Sequence, residues 1–338
     1  MITLQDLEKI DSQGVHKIYD RWPDISKKSY FSDISAINLK TCSNIVFAGM
    51  GGSGTLGDIF SAILSKTNTQ VTVVKGYHLP KTVNCNTLVV VTSVSGNTIE
   101  AISILENARK IGANIIAFSD GGKIREICLK NNIDHRNIRK YQSPRASFTS
   151  FLYSMLKVLK PILPIVESDI IESIQGLEKI SKKIDSHNIS MQNPSIELSE
   201  DLITSPIIYF PWGLQSAATR YKNSLQENAK IQAMTEDVIE SCHNGIVGWG
   251  RKNNFQPILL RGIDDYKTTK ERWKILKEYF KSKNIKYKEI ITENGNILTK
   301  IICMIYLLDY SSIYFAVKLG VDPSPVDAVN FVKDRLKG

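Results

Sequence analysis

Four short, largely apolar runs divide the first half of the chain. Apolar residues at helical spacing follow the first run over residues 56–64, and a second helical stretch over 99–111 follows the third run. Strands that are apolar throughout and alternate with helices are typical of a parallel sheet covered on both faces. The pattern therefore predicts strands at residues 43–48, 70–74, 86–92 and 114–118.

The second half of the chain repeats this alternation less clearly. Strands are predicted at residues 206–210, 256–260 and 286–291. Helical periodicity predicts helices over residues 213–232, 267–284, 295–319 and 325–337. The repetition indicates a second sheet of the same kind.

Two further segments have polar, helical patterns. One is the first 40 residues, which Pro23 caps, and the other is the stretch 143–200, which joins the two halves. We therefore expect an α/β chain of two tandem domains, residues 1–152 and 153–338, each a parallel sheet flanked by helices. The length of 338 residues suits two domains of about 100–200 residues each.

The charge of the chain favours an anionic ligand. The 43 Lys and Arg residues outnumber the 34 Asp and Glu residues, which gives a formal net charge of +9. These basic residues are spread along the chain, without a basic arm and without the aromatic interleaving of single-strand nucleic-acid platforms. We therefore expect a small anionic partner and no nucleic acid.

The apolar and cysteine patterns favour a cytoplasmic protein. The first eight residues lack the apolar core of a secretory signal. The longest apolar run, Ile301–Leu308, stops at Asp309, far short of the roughly 20 residues that a membrane span needs, and predicts a buried helix. The five cysteines are widely spaced and form no Cys-x-x-Cys. We expect no membrane segment, disulfide scaffold or zinc cage.

A glycine-rich turn interrupts the chain between the first predicted strand and its helix. Residues 49–54 read Gly-Met-Gly-Gly-Ser-Gly, which lets backbone N–H groups approach an anion at a helix N-terminus. The spacing also passes as a dinucleotide fingerprint. However, the next strand ends in Val74 and Lys75, where a dinucleotide-binding protein carries an acidic residue. A tight turn that binds no ligand is the plain alternative.

A second turn, rich in hydroxyl groups, follows the third predicted strand. Residues 93–98 read Ser-Val-Ser-Gly-Asn-Thr, and they open the helix over 99–111. Hydroxyl and N–H donors at the positive end of a helix dipole suit a phosphate dianion. The plain alternative is an ordinary Ser/Thr N-cap. Open parallel sheets bind ligands at the carboxyl ends of their strands, so two such turns favour a phosphate site.

These two turns resemble the phosphosugar-binding turns of SIS (sugar isomerase) domains. Within that superfamily the chain is most similar to the archaeal-type bifunctional phosphoglucose/phosphomannose isomerases. Residues 144–147 resemble the P-R-A segment of that group, 227–230 its E-N-A-K segment and 242–249 its H-N-E-I-V-G segment. Residues 322–326 resemble its D-P-x-x-V turn. The matching segments occur in order along the chain.

The resemblance implies an aldose–ketose isomerase that works through a cis-enediol without a metal or other cofactor. By similarity, Glu227 is the base that moves a proton between C1 and C2, His243 opens the sugar ring, and Arg145 stabilises the enediolate. A lysine in the last helix lines the site in relatives, and Lys333 is the nearest candidate, with Lys337 as the other. The phosphate-binding residues implied are Gly52, Ser53, Ser93, Ser95 and Thr98. The resemblance also implies a homodimer in which the histidine serves the neighbouring subunit's site.

Each implied catalytic residue has a plain alternative. Glu227 lies on a charged predicted helix and Arg145 in a polar segment. Taken alone, each is typical of an exposed surface residue. His243 near a turn reads as structural or exposed, and we interpret the other four histidines as structural. The sequence also departs from the related pattern, because Gly245 stands where the group has an acidic residue beside the histidine.

The leading hypothesis is a cytoplasmic isomerase that interconverts glucose 6-phosphate, and also mannose 6-phosphate, with fructose 6-phosphate. A different SIS enzyme that acts on amino-sugar phosphates would share the phosphate turns and need no pair like Glu227 and His243. A non-catalytic phosphosugar sensor would keep the turns and lose the base. A dehydrogenase is disfavoured by the missing ribose-binding acid.

Overall fold

The computed structural model describes residues 2–336, which form two compact units. The first-sheet unit contains Arg21–Glu178 and Asn294–Ile302, and the second-sheet unit contains residues 2–20, Lys179–Glu293 and residues 303–336. The domain boundary predicted after residue 152 falls inside a helix, Phe148–Leu159, of the first-sheet unit. The division into residues 1–152 and 153–338 stays a prediction.

The strands and helices alternate along most of the chain. The strands are β1 Asn44–Ala48, β2 Gln70–Val74, β3 Leu88–Thr92, β4 Asn114–Ser119, β5 Asp134–Asn137, β6 Ser205–Phe210, β7 Met234–Asp237, β8 Phe255–Arg261 and β9 Lys288–Ile291. The α-helices are α1 Leu4–Ile10, α2 Val15–Asp20, α3 Trp22–Tyr30, α4 Gly52–Leu64, α5 Ile99–Ile111, α6 Gly122–Lys130, α7 Phe148–Leu159, α8 Glu167–Ile184, α9 Pro194–Asp201, α10 Gln215–Ser224, α11 Val238–Ser241, α12 Lys267–Ser282, α13 Ile297–Lys318 and α14 Asp327–Arg335.

Both sheets are parallel, as the apolar runs predict. The first sheet has the strand order β2-β1-β3-β4-β5, and the second has the order β7-β6-β8-β9. All five residues of β3 are buried, because a central parallel strand is covered on both faces. The predicted fold class, an α/β chain with two helix-flanked parallel sheets, is confirmed.

Sequence reasoning missed two strands, β5 and β7. Both are outermost in their sheets. Their sequences, Asp-His-Arg-Asn and Met-Thr-Glu-Asp, are polar because an edge strand is shielded by a neighbouring strand on one side only. Neither strand therefore produces the apolar run that marked the others.

The two segments with polar, helical patterns do form helices, but they differ in two respects from what their polar sequences suggest. In α7 every residue except Lys157 is buried, since its small hydroxyl side chains pack inside the first-sheet unit with its large apolar ones. Pro23 does not end a helix but stands in the first turn of α3, where its missing N–H costs no hydrogen bond. Trp22 of α3 packs on Phe148 of α7, with ring centroids 6.0 Å apart.

One helix of the described chain, α13, is long and apolar enough to cross a membrane by length and composition. Its most apolar window is 89% buried inside the protein, which is the property of a core helix. The predicted buried helix over residues 295–319 is confirmed.

Candidate active site

The two predicted phosphate turns lie side by side at the switch point of the first sheet. The chain leaves β1 for β2 on one side and then crosses to β3 on the other side, so β1 and β3 are neighbours. A crevice opens at the carboxyl ends of such a pair of strands, and ligands of open α/β sheets bind there. Residues 49–54 follow β1 and residues 93–98 follow β3.

The first turn is compact because its glycines allow the backbone to fold on itself. Gly51, just before α4, has a φ of +54°, a conformation that side chains disfavour. A Cβ on Gly49 would lie 2.9 Å from the backbone of Ser53, too close for any side chain. The N–H of Ser53 donates to the Met50 carbonyl at 3.0 Å, and its side chain is 9% exposed. Ser53 thus stands in the first turn of α4, where an anion is favoured.

In the second turn two hydroxyl groups meet. The oxygens of Ser93 and Thr98 lie 2.8 Å apart, which is hydrogen-bond distance. Thr98 occupies the N-cap position of α5, but its side chain makes no capping hydrogen bond to that helix. The ordinary N-cap alternative therefore does not describe Thr98. Ser95 is exposed, and its hydroxyl accepts a 3.3 Å hydrogen bond from the Asn97 N–H.

A third turn, after β4, braces the second. A Cβ on Gly96 would lie 1.8 Å from the Gly121 carbonyl oxygen, so these backbones touch. The Ile124 N–H donates to the Gly96 carbonyl at 2.9 Å, and the Lys123 N–H donates to Asn97 Oδ1 at 3.0 Å. Sequence reasoning gave this turn no role, although the paired glycines Gly121 and Gly122 are a signal for it.

Arg145 is buried, contrary to the surface alternative. The residue is 5% exposed and lies three residues before the start of α7, in the same unit as the phosphate turns. Its segment is fixed by Ser147, whose hydroxyl donates to the Ser143 carbonyl at 2.7 Å and accepts from the Tyr141 N–H at 2.9 Å. A guanidinium held in this way in a poorly solvated place interacts strongly with negative charge.

Glu227 lies in a five-residue π-helix, Leu225–Ala229, that continues α10. Such single π turns are rare in proteins and are frequent at functional sites. The segment ends at Lys230, which has a φ of +58° and caps the turn by donating from Nζ to the Glu227 carbonyl at 2.5 Å. Glu227 is half-buried, and Asn228 and Ala229 beside it are buried. The surface alternative for Glu227 is therefore not what the structure shows.

Polar side chains of α13 hold this π turn and the preceding helix. Asn228 donates to the Ser312 hydroxyl at 2.8 Å, and Ser224 donates to the Asp309 carboxylate at 2.6 Å. Arg220 pairs with Asp309 at 2.7 Å. Burial alone would lower the pKa of Arg220, but Asp309 raises it above its ordinary value, with a smaller contribution from Glu227. Arg220 is thus permanently charged and lies within the electrostatic reach of Glu227.

His243 is exposed on a short turn after α11. Its N–H donates to the Glu240 carbonyl at 2.9 Å, and the Asn244 side chain donates to the Glu240 carboxylate at 2.8 Å. The turn then enters a 3₁₀ segment, Gly245–Gly250, whose Trp249 is buried. His243 and Glu227 both belong to the second-sheet unit.

The remaining predicted site residue, Lys333, lies on α14, a helix with no buried residue. Its role stays a prediction, and the alternative Lys337 lies outside the described residues. Two of the other histidines have local partners: His16 bonds Asp11 at 2.7 Å, and His135 bonds the Ser119 hydroxyl at 2.8 Å.

Comparison with known proteins places the fold among sugar-phosphate isomerases. A tagatose-6-phosphate ketose/aldose isomerase from Escherichia coli superposes with a TM-score of 0.64 at 15% identity, over 95% of this chain and 90% of that one. The family model for the bacterial phospho-glucose isomerase C-terminal SIS domain matches residues 191–336. The chain thus has the fold of the SIS isomerases.

Two relatives define the family more closely. A bifunctional phosphoglucose/phosphomannose isomerase from Caldicellulosiruptor bescii is 30% identical, over 94% of this chain and 97% of the relative. The protein of the same name from the archaeon Thermoplasma acidophilum is 30% identical, over 88% of this chain and 90% of the relative. The chain belongs to the family of bifunctional phosphoglucose/phosphomannose isomerases, which confirms the resemblance drawn from its motifs.

Proposed function

We propose that this protein interconverts glucose 6-phosphate and mannose 6-phosphate with fructose 6-phosphate through a shared cis-enediol. The observation that carries the proposal is the pair of turns at the switch point of the first sheet. They bring the Ser53 turn beside the hydrogen-bonded hydroxyls of Ser93 and Thr98. Family membership gives this anion site a sugar phosphate as its ligand.

In this proposal the phosphate is held by neutral donors. Gly52, Ser53, Ser93, Ser95 and Thr98 supply hydroxyl and N–H groups at the N-terminal ends of α4 and α5. Helix N-termini carry partial positive charge, so the dianion is stabilised without a lysine salt bridge. A phosphate fixed in this way makes the sugar end of the substrate the part that reacts.

Glu227 is the base of the proposed mechanism. Its carboxylate removes the proton from C2 of the open-chain aldose and returns it to C1 of the enediol, and the hydroxyl proton passes from O2 to O1, which yields the ketose. The π turn fixes the backbone that carries this carboxylate, and general base catalysis depends on the positioning of the base. Arg145 stabilises the negative charge that develops on the enediolate oxygen. His243 moves the proton that opens the ring.

One enediol explains two aldose substrates. Glucose 6-phosphate and mannose 6-phosphate differ only in configuration at C2, and C2 becomes planar when its proton is removed. Both aldoses therefore give the same intermediate. Returning the proton to one face of C2 or to the other decides which aldose forms, provided that the open chain rotates about its C2–C3 bond.

We also propose a cytoplasmic homodimer in which His243 serves the partner's site. Two features support the shared site: His243 is exposed, and α14 exposes apolar side chains that a second copy would cover. These side chains are Val329, Phe331 and Val332, and Leu336 directly after the helix is exposed as well. All five cysteines are free thiols, as suits a reducing compartment.

A coupled assay tests the reaction. Purified protein with EDTA should convert fructose 6-phosphate into glucose 6-phosphate and, in a separate assay, into mannose 6-phosphate. Glu227→Gln should abolish both activities, and Glu271→Gln, which changes an exposed carboxylate of α12, should leave both unchanged. Turnover of an amino-sugar phosphate alone would favour the other SIS enzymes. If no sugar turned over while phosphosugars still raised the melting temperature, the protein would be a non-catalytic phosphosugar sensor and not an enzyme.

Mixed dimers test the shared site. Glu227→Gln and His243→Ala subunits are each inactive, but a mixed dimer has one intact site if each site takes its histidine from the partner. Random exchange of equal amounts should recover about a quarter of the wild-type activity, because about half of the dimers are mixed and one of their two sites is intact. A mixture as inactive as its parents would contradict sharing between subunits.

A further inference from the structure

The carboxylate of Glu236 fills the space where a side chain at position 245 would begin. A Cβ on Gly245 would lie 2.3 Å from Oε1 and 2.6 Å from Oε2 of Glu236. Real carbon–oxygen contacts of this kind are never so short, so the carboxylate rests directly on the backbone of the turn that carries His243. With Glu236 in this place, glycine is the residue that position 245 accommodates.

The strand register sets the position of Glu236. In the parallel pair β6–β7, Tyr209 is the Cα partner of Glu236, so their side chains share one face of the sheet. Trp249 donates from Nε1 to the Tyr209 hydroxyl oxygen at 2.9 Å. Burial raises the pKa of Tyr209 to about 12, so the phenol keeps its own proton at neutral pH and has it available for Glu236. The Tyr209 hydroxyl, which Trp249 holds, thus bonds the carboxylate from the sheet side.

The His243 turn has a second carboxylate on its other side. Glu240 accepts from the Asn244 side chain at 2.8 Å, and its carbonyl accepts from the His243 N–H at 2.9 Å. Burial raises the pKa of Glu236, and Glu240 raises it further, while the hydrogen bond with Tyr209 opposes both effects. The turn that carries His243 is therefore held between two carboxylates. The exposed Glu240 bonds Asn244, and the half-buried Glu236 lies against Gly245.

We propose that Glu236 is a positioning residue for His243, supplying from the neighbouring strand the acidic group that the related H-N-E-I-V-G segment carries at position 245. The proposal rests on the proposed isomerase function. It explains how this chain keeps an acidic group beside its histidine although the motif itself has lost one. The carboxylate is provided by β7, and Gly245 leaves room for it.

Replacing the carboxylate by its amide tests the charge separately from the packing. Glu236→Gln keeps the shape of the side chain, and we expect kcat to fall by about 10- to 100-fold with little change in KM, since misplacing a catalytic group by about 1 Å costs up to about 100-fold. Glu236→Asp should recover part of the loss. The exposed Glu271→Gln is the matched control. A Glu236→Gln enzyme as active as the wild type would show that Glu236 only packs, and would overturn the proposal.

Moving the carboxylate between the two positions gives a sharper test. Gly245→Glu alone crowds Glu236, and Glu236→Gly alone removes the carboxylate, so both single variants should lose activity. The double variant Glu236→Gly with Gly245→Glu should be at least about tenfold more active than either single variant, a difference of about 1.4 kcal/mol in activation free energy from each of them. Purely additive losses in folded protein would overturn the proposal. An inactive wild type would overturn the proposed function as well, so the two failures are distinguishable.

Discussion

The Arg220 guanidinium and the Asp309 carboxylate form an ion pair of 2.7 Å that is almost wholly removed from solvent. Removing two charges from water is costly, and a buried pair repays that cost only when its geometry and hydrogen bonds are good. Asp309 also accepts from Ser224, and Arg220 contacts the Tyr19 hydroxyl, so both ions have further polar partners. The pair lies at the base of the π turn that carries Glu227.

Neutralising one partner of this pair should therefore be severe. We expect Asp309→Asn to lower the free energy of unfolding by about 3–5 kcal/mol, because it leaves Arg220 charged and buried without its counter-ion. Urea denaturation measures the loss. The matched control is Asp201→Asn, which removes an exposed partner of Lys288 and should cost less than about 1 kcal/mol. Equal effects of the two variants would contradict this account.

The paired hydroxyls of Ser93 and Thr98 predict a specific kinetic effect. Thr98→Val keeps the shape of the side chain and removes one donor from the phosphate site. Hydrogen bonds to charged groups contribute about 1.5–3 kcal/mol, so KM for fructose 6-phosphate should rise by about 10- to 100-fold. Steady-state kinetics measure KM, and inhibition by inorganic phosphate should weaken in parallel. Thr82→Val, in an exposed loop of the same unit, should change neither quantity.

Gly96 and Gly112 provide a matched pair of substitutions in the first-sheet unit. Both have positive φ, but a Cβ on Gly96 would meet the Gly121 carbonyl oxygen at 1.8 Å, while a Cβ on Gly112 meets nothing within 4 Å. Gly112→Ala should therefore cost about 1 kcal/mol of stability through backbone strain alone. Gly96→Ala should cost more and should also raise KM, since the clash separates the two braced turns. Thermal unfolding together with KM checks both expectations.

Asp11 predicts a dependence of stability on pH. Burial alone would raise its pKa, but hydrogen bonds from His16 and the Val15 backbone outweigh burial and lower the pKa below its ordinary value of 3.8. The native state therefore binds fewer protons than the unfolded state near this pH. The stabilisation is complete above pH 3.8 and is lost as the pH falls through the lower, folded-state pKa.

Melting temperatures of the wild type and Asp11→Asn between neutral and acidic pH measure this contribution. The variant should be less stable than the wild type at neutral pH, and the difference between the two should shrink as the pH falls below 3.8. A difference that stays constant with pH would show that the Asp11 charge is not responsible. Ser324, which donates to Asp11 at 3.0 Å, remains in both proteins.

The phosphate turns could be predicted from the sequence because their signals are local. An apolar run that ends in a glycine or serine cluster before a helical period gives the strand, the turn and the helix together. Adjacency of β1 and β3 follows from the usual placement of ligand sites in parallel sheets. For this reason the neighbouring positions of Ser53 and Ser93 were predictable without coordinates.

The features that sequence reasoning missed depend on helix geometry, strand register and packing rather than on local pattern. The π turn at Glu227 leaves no mark in the hydrophobic period, because it lasts a single turn. Glu236 could not be linked to Gly245, since the link requires the β6–β7 register and β7 is a polar edge strand. The burial of Arg145 arises from the packing around α7. The serines and threonines of α7 give this core helix a polar sequence pattern.

The π turn also bears on how this chain should be aligned with others. A regular α-helix turns by about 100° per residue, so one residue more or less between 225 and 229 redirects every side chain that follows. An insertion or deletion of one residue there would hardly change the amino-acid composition or the percentage identity. Homologous chains that differ by one residue in this stretch would then aim their glutamate elsewhere, and they are the relatives in which a changed reaction should be sought first.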